Sequence, residues 1–202
     1  MSRGGSRRLL IATTNPGKVK EIARILEGVP IELISLADLP RIPEPEETGT
    51  TFAENARLKA LYYHRASGLP AVADDSGLEI DALDGAPGVH SARWEGSDYA
   101  VKFRRIWELL DARGSRGSTA RFVCRVALAD DDRIAFESEG IIEGRIADEP
   151  RGEHGFGYDP IFYYPPLDMT SAEMPPDVKA SVSHRGRAFA RLRDYLLTPH
   201  AT

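Results

Sequence analysis

Cysteine and long apolar runs are scarce in this chain. Cys124 is the one cysteine among 202 residues, and no unbroken apolar run exceeds four residues. A single cysteine cannot form an intrachain disulfide, which fits a reducing compartment, so we expect a cytoplasmic location. Runs this short are far below the roughly 20 residues that cross a bilayer, so no membrane partner is expected.

An excess of positive charge is also absent. The chain has 26 Lys and Arg against 31 Asp and Glu, a net charge of −5. This balance argues against a protein that coats nucleic acid or an anionic membrane, so we expect no nucleic-acid partner. Any site for an anion must therefore be local.

The sequence has no internal repeat and no low-complexity linker. With 42% hydrophobic residues, it can bury a core, which predicts one domain over residues 9–202. Residues 1–8 are basic, and no apolar stretch of signal-peptide length follows them. We expect a flexible tail there.

Hydrophobic spacing and capping residues predict both helices and strands. Helices are predicted over residues 16–27, 51–67, 98–111 and 188–197. Asn15 and Pro16 start the first of these, and a capping box of Thr51 and Glu54 starts the second.

Strands are predicted from a short apolar run and from alternation. The run covers residues 9–12 and predicts a strand over 9–13, and apolar residues alternate with polar ones over 121–128, which is typical of a half-buried strand. Three aspartates at 130–132 predict a hairpin turn into a strand over 133–139, and residues 141–146 are expected to continue the sheet. Together these elements predict an α/β fold with a mixed sheet.

Two segments carry opposite charge. Residues 74–84 hold five acids and no base, whereas residues 179–193 hold five bases and no acid. Carboxylates bind Mg²⁺ while leaving phosphate oxygens and water in its shell, and Lys or Arg neutralises the remaining phosphate charge. The two segments favour a metal–phosphate substrate, although both could simply be solvated faces.

The segment between the first strand and the first helix is suited to phosphate. Its residues are Thr13, Thr14, Asn15, Pro16, Gly17 and Lys18. Backbone N–H groups at a helix start and the helix dipole attract anions, and Lys18 adds a full charge. The segment is not a Walker A motif, because Ala12 and Val19 stand where Gly and Ser or Thr are needed. Ordinary helix-start chemistry also accounts for the Asn-Pro-Gly sequence.

Two adjacent carboxylates, Asp74 and Asp75, come at the expected end of an apolar strand. Side chains alternate along a strand, so only one of the two enters a given site unless the chain turns there, and the sequence leaves the choice open. Glu47 could be a further metal ligand or one acid of a polar loop. Asn55 and Lys59 are four residues apart on a helix, so they could reach one anion or face solvent.

Two further segments suit a nucleobase. Phe156 stands between Gly155 and Gly157, and glycines allow a ring to approach and stack on a base. His184 and Arg185 could donate hydrogen bonds to a carbonyl of the base. Phe156 could equally be a core residue and His184 a helix cap. The histidines show no zinc-ligand spacing, and one cysteine cannot build a thiolate site.

Seven motifs occur in a fixed order over about residues 9 to 197. They are Thr13-Thr-Asn-Pro-Gly-Lys18, Glu47-Thr-Gly49, Thr51-Phe-Ala-Glu-Asn-Ala56, Ala73-Asp-Asp-Ser-Gly-Leu78, Gly85-Ala-Pro-Gly88 with Ser91-Ala-Arg93, Gly155-Phe-Gly-Tyr-Asp-Pro160, and Ser183-His-Arg185. As an ordered set they closely resemble the inosine triphosphate pyrophosphatase family, the XTP/dITP diphosphatases that act on deaminated purine nucleotides.

The resemblance implies a fold, an activity and a set of roles. The fold would be two-lobed, with a long central sheet flanked by helices and the active site in the cleft between the lobes. The activity would be Mg²⁺-dependent hydrolysis of ITP, dITP or XTP to the monophosphate and pyrophosphate, and a homodimer is implied by analogy. Glu47 and Asp75 would hold Mg²⁺, and Asp75 would also accept the proton, with Asp74 and Lys18 in support. The residues implied to bind substrate are Thr13, Thr14, Asn15, Pro16, Gly17, Lys18, Lys59, Ser76, Phe156, Gly157, Tyr158, Asp159, Lys179, His184 and Arg185.

Two rival functions stay open on the sequence. One is a Maf-like pyrophosphatase that acts on other modified nucleotides, which a substrate panel distinguishes. The other is a nucleotide-sensing module without turnover. The adjacent acids count against the module, because a mere binder gains little from carboxylates that repel phosphate.

Overall fold

The computed structural model describes residues 7–198, which form one seven-stranded mixed sheet and five α-helices. The strands are β1 (Arg7–Ile11), β2 (Ile31–Ser35), β3 (Ala71–Ile80), β4 (Thr119–Asp130), β5 (Arg133–Ile146), β6 (Phe162–Tyr164) and β7 (Met169–Thr170). The helices are α1 (Pro16–Ile25), α2 (Phe52–Ser67), α3 (Tyr99–Ala112), α4 (Pro176–Val182) and α5 (His184–Leu197). The predicted α/β class is confirmed.

The sheet has the strand order β2-β1-β3-β4-β5-β6-β7. β1 is parallel to β2 and β3, and every later pair is antiparallel. The carboxyl end of β1 therefore lies beside the middle of the sheet. Because α1 begins just after it, the helix start is placed against β3, which carries the two adjacent aspartates.

The prediction that β3 ends at the two aspartates is wrong. β3 continues to Ile80 and pairs with β4 along its whole length. The Ser76-Gly77 step is part of the strand rather than a turn. A Cβ at Gly77 would clash with the carbonyl oxygen of Gly88 and the hydroxyl of Ser91, so glycine here serves close packing.

β4 is buried on both faces in its central part, contrary to the half-buried strand predicted from alternation. Val123 and Ala127 are buried as fully as the alternate residues Cys124 and Val126, because α2 and its neighbours cover the second face. The hairpin predicted after β4 is present, and β5 runs as one strand through both segments predicted for it. Asp131 and Asp132 both have positive φ, the conformation of the turns that join twisted strands tightly.

Two helix starts follow the predicted caps, and a third capping residue, Asp98, stands at the predicted first position of its helix. Asn15 caps α1, Thr51 and Glu54 form the capping box of α2, and Asp98 caps α3. α5 begins at His184, four residues earlier than predicted, because the Ser183 side chain accepts from the Gly186 amide and caps it. The edge strands and α4 were not predicted.

The core is divided into three parts around the sheet. One part packs α1 and α5 on β1, β3 and β4, and a second packs α2 on the opposite face. The third packs α3 on the far ends of β3 to β5. Phe122 of the third part and Cys124 of the first are two residues apart on β4, so both parts cover one face of the sheet. A cavity lies between the second and third parts, because Ala12 and Tyr63 of the second part and Phe122 and Tyr158 of the third line it.

The structure describes only part of the predicted N-terminal tail. Most of the tail predicted over residues 1–8 lies outside the described residues, but Arg7 and Arg8 begin β1 instead. Within residues 7–198, no helix combines the length and apolar character needed to cross a bilayer.

Gly140 of β5 sets how closely α5 approaches the sheet. A Cβ at this position would clash with the carbonyl oxygen of His184 and the amide nitrogen of Ala188. We expect Gly140→Ala to lower the free energy of unfolding by about 1–3 kcal/mol, because the first turn of α5 must move. Glu143→Ala, on an exposed position of the same strand, should change it by less than about 0.5 kcal/mol. Urea unfolding measures both, and equal stability of Gly140→Ala and the parent would contradict the packing.

Candidate active site

The cavity between the second and third parts of the core has a volume of about 490 Å³. It lies next to the first residues of α1 and α5 and to the middle of β3. The predicted site residues that line it are Thr13, Thr14, Asn15, Lys18, Glu47, Lys59, Asp75, Ser76, Phe156, Gly157, Tyr158, Asp159, Lys179, His184 and Arg185. Pro16, Gly17 and Asp74 are not part of this lining, since Pro16 is exposed at the start of α1 and Asp74 is buried beneath the surface of the cavity.

The loop before α1 satisfies most of its own backbone donors. Asn15 Oδ1 accepts from the amides of Gly17 (2.9 Å) and Lys18 (3.2 Å), and the Asn15 amide donates to Thr13 Oγ1. The predicted set of free N–H groups is therefore wrong as the structure stands. The loop instead contributes its hydroxyls and the Lys18 ammonium. A Cβ at Gly17 would lie 2.6 Å from the Phe156 ring, so this glycine admits the ring against the start of α1.

Asp74 and Asp75 point to opposite faces of β3. Asp74 is fully buried and pairs with Lys18 Nζ at 3.0 Å and Arg185 at 3.1 Å, on the face that carries α1 and α5. Asp75 lies on the α2 face, where it accepts from Lys59 Nζ at 3.0 Å and Asn55 Nδ2 at 3.1 Å. The choice that the sequence left open is therefore decided by the sheet.

The two faces shift the pKa values of these acids in opposite directions. Burial opposes ionisation of Asp74, but Lys18, Arg185 and nearby Lys59 outweigh it and hold its pKa far below the ordinary value. Burial raises the pKa of Asp75, and the attraction of Lys59 and Lys18 only partly offsets it. Asp74 is thus a permanent counter-ion, whereas Asp75 is suited to accept a proton.

Lys59 joins the two carboxylates that were predicted to hold metal. Its ammonium lies 2.8 Å from Glu47 Oε1 and 3.0 Å from Asp75 Oδ1. Burial lowers the pKa of Lys59, but Asp75, Asp74 and Glu47 raise it more strongly, so the group stays charged. Lys59 is therefore part of the cavity lining through its ion pairs with Glu47 and Asp75. It does not belong to the loop before α1.

Glu21 is a partly buried acid that the sequence analysis did not select. Its two oxygens accept from Lys179 Nζ at 2.7 Å and Arg185 at 2.6 Å. Glu21 lies three residues after Lys18 on the same face of α1, and that spacing is the signal that could have found it. Lys179 also pairs with Asp159 at 2.6 Å, so each cation at this end has two acidic partners.

The end of the cavity opposite Glu47 is formed around Phe156. Lys179 Nζ lies 5.3 Å and the Arg185 guanidinium carbon 5.6 Å from the centre of its ring. Tyr158 and Asp159 also line the cavity, but the Tyr158 hydroxyl donates to Ser91 O and Asp159 accepts from the Phe156 amide. These two residues therefore fix the loop, and Phe156 is its free aromatic surface.

His184 and Arg185 each retain an unused polar atom. The His184 ring stacks on Phe122 with centroids 4.7 Å apart, and burial with the neighbouring cations lowers its pKa well below the ordinary value. Its Nδ1 and Arg185 Nε are buried without a hydrogen-bond partner within the described residues. Buried polar atoms are normally satisfied, so the pair is suited to a ligand oxygen.

Most charged residues of the two oppositely charged segments lie outside the cavity. Glu79 and Asp81 pair with Arg121 at the surface, and two bases of α5 donate to carbonyl oxygens of β5. The solvated-face interpretation is correct for these members. Asp74, Asp75, Lys179 and Arg185 are the members that meet at the site.

Comparison with known proteins assigns the chain to a family. The model of the Ham1 family matches residues 9–195. The chain belongs to the Ham1 family. The resemblance drawn from the seven motifs is thereby confirmed at the level of the family, and the match favours it over the Maf-like alternative.

Relatives and solved structures of the Ham1 family cover nearly the whole chain. A protein of Geobacter sulfurreducens named dITP/XTP pyrophosphatase is 49% identical over 192 residues, covering 94% of this chain and 96% of its own. One of the same name from Exiguobacterium is 50% identical over 185 residues, covering 92% and 94%. The structure of a HAM1 protein from Coxiella burnetii is 40% identical with a TM-score of 0.86, covering 94% of this chain and 98% of that one.

The opposite pKa shifts predict opposite roles of the two aspartates in stability. Asp74 has a folded-state pKa below its unfolded value, so its charge stabilises the fold at neutral pH and the contribution is lost as the pH falls. Asp75 has a folded-state pKa above its unfolded value, so its charge opposes folding at neutral pH. We expect Asp74→Asn to cost about 3–5 kcal/mol at pH 7, because it leaves buried cations underpaired.

Asp75→Asn is the matched comparison. Lys59 keeps Glu47 as a partner in this variant, so the cost should stay within about 1 kcal/mol. Urea unfolding at pH 7 measures both variants. Equal costs, or a larger cost for Asp75→Asn, would contradict the assignment.

Proposed function

We propose that this protein hydrolyses deaminated purine nucleoside triphosphates (ITP, dITP and XTP) to the monophosphate and pyrophosphate. The observation that carries the proposal is one cavity with a carboxylate pair at one end and an aromatic ring next to two cations at the other. Glu47 and Asp75 form the first end, and Phe156 with Lys179 and Arg185 forms the second. The name dITP/XTP pyrophosphatase of its Ham1 relatives supports the same activity.

Mg²⁺ is part of the proposal, and the donor set fits it. Glu47 Oε1 and Asp75 Oδ1 both lie within 3.0 Å of one ammonium, so two carboxylates already converge on a cation. Within residues 7–198 there is no group of three or more His, Cys, Asp or Glu that could hold a metal. Mg²⁺ is commonly held by one or two carboxylates with substrate phosphates and water, so a third protein ligand is not required. When bound, it would acidify water and neutralise phosphate charge.

The chain's own residues supply the remaining parts of the reaction. Asp75, with its raised pKa, orients a water molecule and receives its proton. The water oxygen bonds to phosphorus, the bond between the α- and β-phosphates breaks, and pyrophosphate leaves. Lys18 stabilises negative charge on the phosphate oxygens, and Asp74 holds Lys18 in place at 3.0 Å.

The experiment that tests the activity is pyrophosphate release from ITP, XTP, GTP and ATP, with and without Mg²⁺. We expect Asp75→Asn to lower turnover of ITP by at least about a hundredfold, because the proton acceptor is lost. Arg57→Gln on the exposed side of α2 is the control and should retain turnover. Undiminished turnover by a folded Asp75→Asn would refute the role, and nucleotide binding without pyrophosphate release would identify a sensing module.

Base selection follows from the two unused polar atoms. His184 Nδ1 and Arg185 Nε can donate to the 6-keto oxygen of hypoxanthine or xanthine. The 6-amino group of adenine would meet them donor to donor and leave buried hydrogen-bonding capacity unsatisfied. ATP should therefore be a poor substrate.

His184→Phe separates base recognition from stacking. A phenyl ring can keep the stack on Phe122 but has no donor, so kcat/KM for ITP should fall about tenfold, as one hydrogen bond of about 1.4 kcal/mol implies. The slow hydrolysis of ATP should be unchanged. Phe156→Leu is the contrast, because loss of the stacking surface should weaken ITP and ATP alike. A His184→Phe variant that slows both nucleotides equally would argue against recognition of the 6-keto group.

A homodimer and a cytoplasmic location belong to the same proposal. The homodimer follows from the resemblance alone, and the location follows from the single cysteine, Cys124, which is buried and forms no disulfide. Light scattering of the purified protein determines the assembly.

A further inference from the structure

Lys59 lies between the two carboxylates that the proposed function assigns to metal. Its ammonium is 2.8 Å from Glu47 and 3.0 Å from Asp75, and its side chain is only 12% exposed. Arg93 approaches Glu47 at 3.7 Å, but that side chain is more than half exposed. Lys59 is thus the buried cation of this carboxylate pair.

We propose that Lys59 is the resident cation of the metal site. It keeps free divalent metal from Glu47 and Asp75 until a nucleotide triphosphate offers its ammonium new anionic partners. The metal then enters together with the triphosphate rather than ahead of it. The inference rests on the proposed function for the identity of the nucleotide, but it concerns metal binding by the protein alone.

Mg²⁺ and the Lys59 ammonium compete for the same carboxylate oxygens. Mg²⁺ binds carboxylate oxygens at about 2.0–2.1 Å and repels an ammonium at close range. Glu47 Oε1 and Asp75 Oδ1 are already the acceptors of Lys59. A free metal ion that takes these oxygens must therefore break both ion pairs and leave a largely buried ammonium without these partners, which is costly. Phosphate oxygens remove that cost, because they accept from the displaced ammonium.

The two carboxylates also have a support that does not depend on Lys59. Asn55 Nδ2 donates to Asp75 Oδ2 at 3.1 Å, and Asn55 Oδ1 accepts from the Gly49 amide at 2.8 Å. Asn55 is fully buried on α2, one turn before Lys59. It ties β3 to the segment that carries Glu47, so both carboxylates can keep their places when the ammonium leaves.

Replacing Lys59 should therefore open the site to free metal. The test is titration of Mn²⁺ into the full-length protein without nucleotide, followed by electron paramagnetic resonance of the free ion. We expect Lys59→Met to bind Mn²⁺ at least about tenfold more tightly than the parent, because one buried positive charge is removed. Lys59→Gln provides a second variant, and thermal unfolding of each verifies the fold.

Two further variants show that the effect is local. Arg57→Gln removes the same charge from the same helix, but its guanidinium pairs with Glu137 at the surface, so Mn²⁺ affinity should change less than about twofold. The double variant Lys59→Met with Asp75→Asn should lose the tight binding. Addition of a non-hydrolysable ITP analogue should tighten Mn²⁺ binding by the parent more than by Lys59→Met.

The outcomes separate this inference from the proposed function. If folded Lys59→Met and Lys59→Gln bind free Mn²⁺ no more tightly than the parent, Lys59 is not the resident cation, even if the parent releases pyrophosphate from ITP. If both variants bind Mn²⁺ more tightly and the parent releases no pyrophosphate, the metal inference stands and the proposed function fails. An equal gain in Arg57→Gln would overturn the inference, because it would reflect net charge alone.

Discussion

The buried carboxylate of Asp74 is the interaction around which the site is organised. It holds Lys18 of α1 and Arg185 of α5 against the middle of the sheet. Arg185 in turn pairs with Glu21, and Glu21 with Lys179. Two helices from distant parts of the sequence are thereby fixed to one strand by alternating charges. A buried ion of this kind is tolerated only when its partners are in place, so the geometry of the phosphate end and the base end are coupled.

This alternation changes the electrostatic picture that the sequence suggests. Separate acidic and basic segments suggest two regions of opposite charge, whereas the structure pairs individual acids with individual bases. Lys59, which pairs with both Glu47 and Asp75, is one example. Without substrate, the charges satisfy one another. On the proposed function, a triphosphate with its metal would exchange partners with these charges, and that exchange would make binding of the metal and of the nucleotide interdependent.

At the end of the cavity around Phe156, the positions of the side chains matter more than their charge. Tyr158 and Asp159 hold the loop, so Phe156 is presented against the cations as a fixed surface. His184 is held neutral by burial and stacked on Phe122, with its Nδ1 unused. A neutral imidazole donates a hydrogen bond without adding charge. It can therefore favour a keto oxygen on the base, while the charged groups respond to phosphate and metal.

Local chemistry in the sequence determined the starts of α1 and α2 and the hairpin between β4 and β5. Asn15 and Thr51 cap their helices through hydrogen bonds to residues two or three positions ahead, and such contacts are readable from spacing. Tertiary structure alone decided that β3 continues past Asp75, because its pairing with β4 outweighs the local turn preference of Ser-Gly. It likewise decided the opposite faces of Asp74 and Asp75, the place of Lys59 and the role of Glu21. Those depend on which distant charge each buried group meets, and no spacing along the chain encodes that distance.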